Sequence, residues 1–180
     1  MDSTKHFQIS FVGHSLGGLV IRYALLLPPL HPYLSSLNFY LSLNTPHFGL
    51  LFGKYWYEMG AKVLARFNTG ASIDQLIVNN RDPTENVIYK MAENNSMCGL
   101  FFVMGVGLSL FKHIYFCSAN QDGYAPFHSV RAEEPPSTSG NSSRELEVYH
   151  AMLSSFYQNL DKSRITKFDF YYPVWVLGCW

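Results

Sequence analysis

The stretch that decides the fold is GHSLGG at residues 13–18. An apolar run, ISFV at residues 9–12, precedes it, and a second apolar run, LVIRYALLL at residues 19–27, follows it. The order is therefore a buried strand, a glycine-flanked serine and a helix, which is the G-x-S-x-G layout of a nucleophile elbow. Because G-x-S-x-G also occurs by chance, an ordinary strand–turn–helix junction is the alternative interpretation. The extra Gly18 and the apolar segments on both sides favour the elbow.

Ser15 and its neighbours have the residue types that nucleophilic catalysis needs. Gly13 and Gly17 have no Cβ atom, so we expect the strand and the helix to approach closely around Ser15. The start of a helix has free backbone N–H groups, which favour developing negative charge. We therefore predict Ser15 as the nucleophile and the N–H of Leu16 as one donor of an oxyanion hole.

Length and composition describe one packed domain over residues 1–180. Apolar residues make up 48% of the chain, which is enough for a core, whereas charged residues make up 14% and the formal net charge is zero. The chain has no basic patch, so we expect no nucleic-acid partner. The three cysteines, Cys98, Cys117 and Cys179, lack metal-ligand spacing, so we expect neither a metal nor a disulfide framework. No cofactor is expected either.

The predicted elements alternate between strands and helices, with the first two strands parallel and joined through a helix. Strands are predicted over residues 7–12, 38–44, 112–117 and 165–172, and helices over residues 17–27, 54–67, 73–78, 84–93 and 144–160. A proline-punctuated loop is predicted over residues 30–37. Residues 132–143 are rich in Pro, Ser, Gly and Asn, which predicts a mobile linker within the domain.

The apolar run at residues 98–111 needs a separate interpretation. It is too short to span a bilayer comfortably, because a spanning helix takes about 20 residues. We expect a buried helix, a lid or a segment that touches a membrane peripherally at residues 100–111. The polar residues 1–6 contain no apolar signal-peptide region, and the expectation is a cytoplasmic protein.

A serine nucleophile needs a base and an acid that orients the base. In the elbow-type enzymes the chain order is Ser, then the acid, then His. Asp122 follows the strand at residues 112–117 in a turn-rich loop and is our candidate acid, although Asp-Gly is also a common solvated turn. Asp74 and Asp82 are weaker candidates, because they precede that strand.

The base is harder to identify. His150 and His128 are the histidines that follow Asp122, and we take His150 as the candidate with His128 as the alternative. Neither fits by chain order alone, since His150 lies within a predicted helix and His128 lies only six residues beyond Asp122. The second oxyanion donor has a similar gap, because the glycine-rich loop that normally supplies it follows an earlier strand. Only twelve residues precede Gly13.

Three segments together resemble a known family. They are ISFVGHSLGGLVIR at residues 9–22, LSLNTPHFG at residues 41–49 and QDGYAPFHS at residues 121–129. They resemble the "putative serine esterase", lipase-like α/β-hydrolases, over about three quarters of the chain. The closest resemblance is to the lipase-like domain at the C-terminal end of the large "family with sequence similarity" proteins.

The resemblance implies an α/β chain with a partial α/β-hydrolase fold, in which a mostly parallel sheet has helices on both faces. It also implies esterase or lipase chemistry, with Ser15 as nucleophile and Asp122 as acid. Two departures stand out. The family's domain starts earlier and carries its histidine after the last strand, whereas residues 170–180 contain no histidine. We therefore expect a chain truncated at both ends.

Two functions from different classes follow from these observations. The first is a lipase-like serine hydrolase whose partner is a lipid or another acyl-ester small molecule. The alternative is a catalytically inactive hydrolase-fold fragment or interaction module in lipid metabolism or signalling. The intact elbow favours the enzyme, and the missing histidine and oxyanion loop favour the alternative. The sequence gives no oligomeric state.

Overall fold

The structure is a computed structural model that describes residues 7–50, 88–89, 91, 107–136, 143–158 and 160–171. Within these ranges the fold is an α/β arrangement around one sheet. The helices predicted at residues 54–67 and 73–78 lie outside the described residues. Of the helix predicted at residues 84–93, the structure describes Ile88, Tyr89 and Met91, which are helical.

Four parallel strands form the sheet in the order in which they occur along the chain. They are β1 (Ile9–His14), β2 (Leu37–Leu43), β3 (His113–Ser118) and β4 (Ile165–Asp169). The predicted α/β class and the parallel first pair are confirmed. Because all four strands run the same way, the segments that follow them emerge at one carboxyl edge. That edge positions the candidate site.

Besides the helical residues 88, 89 and 91, the described ranges contain three helices and three 3₁₀ helices. The helices are α1 (Leu16–Ala24), α2 (Phe127–Arg131) and α3 (Ser143–Gln158). The 3₁₀ helices are Pro28–Ser36, Leu108–Leu110 and Lys162–Arg164. The prediction of a loop at residues 30–37 is wrong. Residues 30–36 form 3₁₀ helix, and Leu37 begins β2. Proline at the first two helical positions fixes φ near the helical value and needs no N–H donor there.

The core lies between the sheet and the helices α1 and α3. The Tyr40 hydroxyl donates to the carbonyl of Gly18 in α1, at 3.0 Å. The Phe156 ring of α3 packs against Phe116 of β3, with ring centroids 6.3 Å apart. Tyr40 and Phe116 are fully buried, and they lie on the same face of the sheet. Helices on the opposite face stay a prediction.

The opposite face of the sheet carries apolar side chains that are partly exposed. Tyr115 lies between Phe39 and Phe168, and each pair of ring centroids is 6.1 Å apart. Val12 of β1 lies on the same face and is 60% exposed. Within the part of the chain that the structure describes, β1 pairs with β2 alone, so β1 is an edge of this sheet.

Two other predicted segments are described only in part. Of the apolar run at residues 98–111, the structure describes residues 107–111, where Leu108 and Phe111 are buried. No described helix is both long and apolar enough to cross a bilayer. In the segment at residues 132–143, Glu133 forms ion pairs with Arg131 and Lys167, and residues 137–142 lie outside the described ranges. The mobile linker stays a prediction.

We predict that Gly18→Ala destabilises the fold by about 1–3 kcal/mol, because it overpacks a tight contact. A Cβ atom at residue 18 would lie 2.1 Å from Thr45 Oγ1 and 2.8 Å from the Tyr40 hydroxyl. Gly17→Ala is the matched control, since a Cβ atom there meets nothing within 4 Å. It should be neutral or stabilising by up to about 1 kcal/mol. Urea unfolding of both variants measures the difference, and equal midpoints would contradict the prediction.

Candidate active site

Ser15 occupies a strained turn between β1 and α1. Its backbone angles are φ 51° and ψ −125°, and it is the N-cap residue of α1. A non-glycine residue in such a sparsely populated region costs of order 1–3 kcal/mol and persists only where its surroundings hold it. Two hydrogen bonds do so here. The Ser15 N–H donates to the carbonyl of Leu43 at 2.8 Å, and the Gly18 N–H donates to the carbonyl of Ser15 at 3.2 Å.

The Ser15 hydroxyl is not used to cap the helix. N-cap serines usually accept a hydrogen bond from the helix N–H groups, but Ser15 makes no such side-chain bond. The residue is exposed, and Leu16, whose N–H is the first in the helix, is 43% exposed. The first N–H groups of a helix have no intrahelical partner. The turn therefore presents a hydroxyl and an N–H donor together.

The close approach of β1 and α1 depends on Gly13 and Gly18. A Cβ atom on Gly13 would lie 2.6 Å from the Gly18 Cα, and one on Gly18 would meet Thr45 and Tyr40. The prediction that Gly17 serves this approach is wrong, because Gly17 lies on a side of α1 where no atom is near. The contact belongs to Gly18, one residue further along the helix.

Hydrogen bonds join the segments that follow the four strands. The Asn44 N–H donates to the carbonyl of Cys117 at 2.9 Å, and Asn44 Oδ1 accepts from the Ala119 N–H at 2.9 Å. The Phe170 N–H donates to the carbonyl of Ser118 at 2.9 Å. Together with the Ser15–Leu43 bond, these contacts hold all four segments at the carboxyl edge. Ser15 and Asp122 follow strands two positions apart, which is about 10 Å between strand axes.

Asp122 lies in the segment that follows β3, as predicted, and its side chain stabilises a turn. Its Oδ1 accepts a hydrogen bond from the Tyr124 N–H at 2.7 Å, and its own N–H donates to the carbonyl of Ala119 at 3.0 Å. This is the Asx turn that Asp-Gly sequences favour. Its Oδ2 accepts no hydrogen bond from a described residue. Asp122 is partly exposed.

The two candidate histidines lie on α2 and α3. His128 is buried on α2, and its ring packs edge-on against Tyr149, with centroids 5.4 Å apart. The His150 side chain is 51% exposed on α3, and its Nε2 lies 2.8 Å from Glu134 Oε2. The structure brings Ser15 and Asp122 to one edge of the sheet and places both histidines in contacts with other residues. The identity of the base stays a prediction.

A buried polar cluster lies beneath the serine turn, and the sequence analysis did not single it out. We call Arg22, Ser42 and His47 the buried cluster. Arg22 Nη1 donates to the His47 carbonyl at 2.9 Å and lies 3.4 Å from His47 Nδ1, and Ser42 Oγ lies 3.2 Å from His47 Nε2. The one available signal was an arginine within the apolar run at residues 19–27.

Burial controls the ionisation of this cluster. It lowers the pKa of His47 well below its usual 6.5, and the nearby Arg22 cation lowers it further. Burial also lowers the pKa of Arg22 to about 10. Because arginine only donates, His47 Nδ1 must accept, which leaves the proton on Nε2, beside Ser42. His47 is therefore a neutral structural residue with both ring nitrogens in use, and it is not a base for Ser15.

A second group of charges joins β3 to β4 at the same edge. The Ser118 hydroxyl donates to Asp169 Oδ1 at 2.6 Å, and Arg131 contacts the same oxygen. The Ser118 bond and then Arg131 lower the pKa of Asp169. Glu133 lies between Arg131 and Lys167, at 2.9 and 2.8 Å. These contacts tie β4 to β3 and to α2.

Comparison with known proteins agrees with this geometry. A model of the family described as "Putative serine esterase (DUF676)" matches residues 1–139. The chain belongs to this family. The match covers both the serine turn and the Asp122 segment, and it places the chain among hydrolases of the esterase type. No solved structure matches the chain significantly. The narrower resemblance to the large "family with sequence similarity" proteins stays a prediction.

We predict that His47 makes the wild-type protein less stable as the pH falls from 6.5 to 5. The folded-state pKa of His47 is depressed, so in this window the unfolded chain binds a proton that the folded chain does not. The free energy of unfolding should therefore fall by up to about 1.4 kcal/mol per pH unit. His47→Gln should remove this pH dependence. Leu34→Ala should lower the free energy of unfolding at every pH and leave its pH dependence unchanged. Urea titrations at several pH values measure this, and an unchanged slope in His47→Gln would contradict it.

Proposed function

We propose that the chain hydrolyses lipid-type acyl esters with Ser15 as the nucleophile. The observation that carries the proposal is the strained backbone of Ser15 at the start of α1, together with a hydroxyl that makes no capping bond. Strain of this kind clusters at functional sites. A simple strand–helix connection would gain stability by relaxing it or by using the hydroxyl as a cap.

The chemistry follows from the groups at the carboxyl edge. Ser15 Oγ adds to the ester carbonyl carbon while its proton passes to an imidazole, and the Leu16 N–H stabilises the oxyanion. The imidazole then returns the proton to the leaving alkoxide, and water hydrolyses the acyl-enzyme in a second, similar step. Asp122 orients the imidazole through its free carboxylate oxygen. We keep His150 as the proposed base and His128 as the alternative.

The apolar surface beside Ser15 supports a lipid-type substrate. Leu16 directly follows the serine and is 43% exposed. Val20, one turn further along α1, is 58% exposed. Exposed apolar groups next to a reactive hydroxyl suit an acyl chain better than a charged substrate, since binding removes apolar area from water.

The second candidate function is a non-catalytic hydrolase-fold module. It is favoured by one specific observation, the placement of His128 against Tyr149 and of His150 against Glu134. A nucleophile without a base loses on the order of 10⁶ in turnover by the subtilisin precedent. The two functions differ in one measurable property, the reactivity of Ser15.

We predict that a fluorophosphonate probe labels the 180-residue chain and that Ser15→Ala abolishes the labelling. The probe phosphonylates an activated serine, and intact mass spectrometry detects the adduct. Ser10→Ala is the matched control, because Ser10 is an exposed serine on β1, the strand that precedes Ser15, and the change should leave labelling unchanged. A folded wild-type chain that stays unlabelled would support the non-catalytic module instead.

We predict that Asp122→Asn slows labelling by about 10²–10⁴-fold, by analogy with loss of the charge in the serine-protease triad. Asparagine retains the oxygen that accepts from the Tyr124 N–H, so the Asx turn should persist and the melting temperature should change little. Labelling at the wild-type rate would remove Asp122 from the mechanism. His150→Gln and His128→Gln in the same assay identify the base, since only one of them should reproduce the loss.

A further inference from the structure

We infer that Arg22 is a positioning residue for the esterase reaction: it fixes the direction in which α1 presents Ser15 and the Leu16 N–H. This inference rests on the proposed function. It starts from an arginine that is 4% exposed, in a helix whose other residues are uncharged.

Burying the Arg22 cation costs free energy, because the charge loses its hydration. Arg22 donates to the His47 carbonyl and lies over the Phe156 ring, 5.1 Å from its centroid. Its Nη2 is buried without a hydrogen-bond partner among the described residues. A buried charge without a carboxylate is unfavourable, and an apolar side chain of similar size is often as stable or more stable. Stability alone therefore does not explain an arginine at this position.

Arg22 connects two parts of the structure. Its contacts join α1 to the segment that follows β2, because Nη1 reaches both the carbonyl and Nδ1 of His47. Ser129 holds the other side of that segment: its carbonyl accepts from the His47 N–H at 3.2 Å, and its hydroxyl donates to the Gly49 carbonyl at 2.8 Å. The segment is thus fixed to α2 by Ser129 and to β2 by the Ser42–His47 contact, and Arg22 fixes α1 to it.

A series of contacts links Arg22 to Ser15. Thr45, in the same segment, lies against Gly18, and the Gly18 N–H binds the Ser15 carbonyl. Arg22 itself lies on the helix that begins directly after Ser15. A tilt of α1 would displace Leu16 N–H and Ser15 Oγ together. Displacements of about 1 Å can cost 10²-fold in rate.

The experiment compares the kinetics of phosphonylation in the wild-type chain, Arg22→Met and Arg22→Lys. Methionine removes both contacts to His47 and leaves its buried carbonyl without that donor, so the melting temperature should fall. We expect an inactivation rate constant lowered about 10- to 100-fold. The probe dissociation constant should change little, because Arg22 does not touch the substrate. Lysine retains the charge and one donor for the His47 carbonyl, and it should restore part of the rate.

Leu34→Ala is the control for stability. Leu34 is buried at the amino end of the sheet, so its loss should lower the melting temperature and leave the inactivation rate constant unchanged. A wild-type rate in Arg22→Met would overturn the inference, and so would an equal loss in Leu34→Ala. If Arg22→Met does not fold, a wild-type rate in Arg22→Leu, which also lacks the donor, would overturn it. An unlabelled wild-type chain would instead overturn the proposed function, and this inference with it.

Discussion

The close contact between β1 and α1 determines the backbone geometry at Ser15. The two elements meet at Gly13 and Gly18, where a side chain on either residue would collide with backbone or with Thr45. Because the two elements are so close, the chain reverses direction within one residue, and Ser15 adopts a strained backbone conformation with positive φ. The same closeness lets the Ser15 N–H reach the Leu43 carbonyl, which continues the β1–β2 hydrogen bonding into the turn. The close packing and the strained backbone of Ser15 therefore have a common cause.

Local patterns in the sequence predicted the parts of the fold that local physics determines. Apolar runs bounded by Gly, Pro and polar residues predicted all four strands, with ends that differ by a few residues. The G-x-S-x-G spacing predicted the serine turn, and the position of Asp122 after β3 follows from strand order. Whether Gly17 or Gly18 faces the sheet depends on how α1 is rotated about its axis. Tertiary packing sets that rotation, so the local sequence does not show it.

The sequence did not predict the buried cluster, because that cluster also depends on tertiary packing. Arg22 and His47 lie 25 residues apart, and only the parallel pairing of β1 and β2 brings α1 onto the segment that contains His47. The burial that lowers their pKa values is a property of the assembled core, to which α3 contributes Phe156. A sequence pattern can indicate that an arginine in an apolar helix is unusual. It cannot identify its partner.

Asp122 shows how one residue can satisfy both of the interpretations that the sequence left open. Its Oδ1 stabilises a turn, as expected for Asp-Gly, and this fixes the carboxylate at the carboxyl edge. Its Oδ2 accepts no hydrogen bond from the described residues. A triad acid must be held by something other than its histidine, because a mobile carboxylate cannot orient a base. The turn contact is therefore compatible with the proposed role of Asp122 as the acid, and finding it in the structure does not count against that proposal.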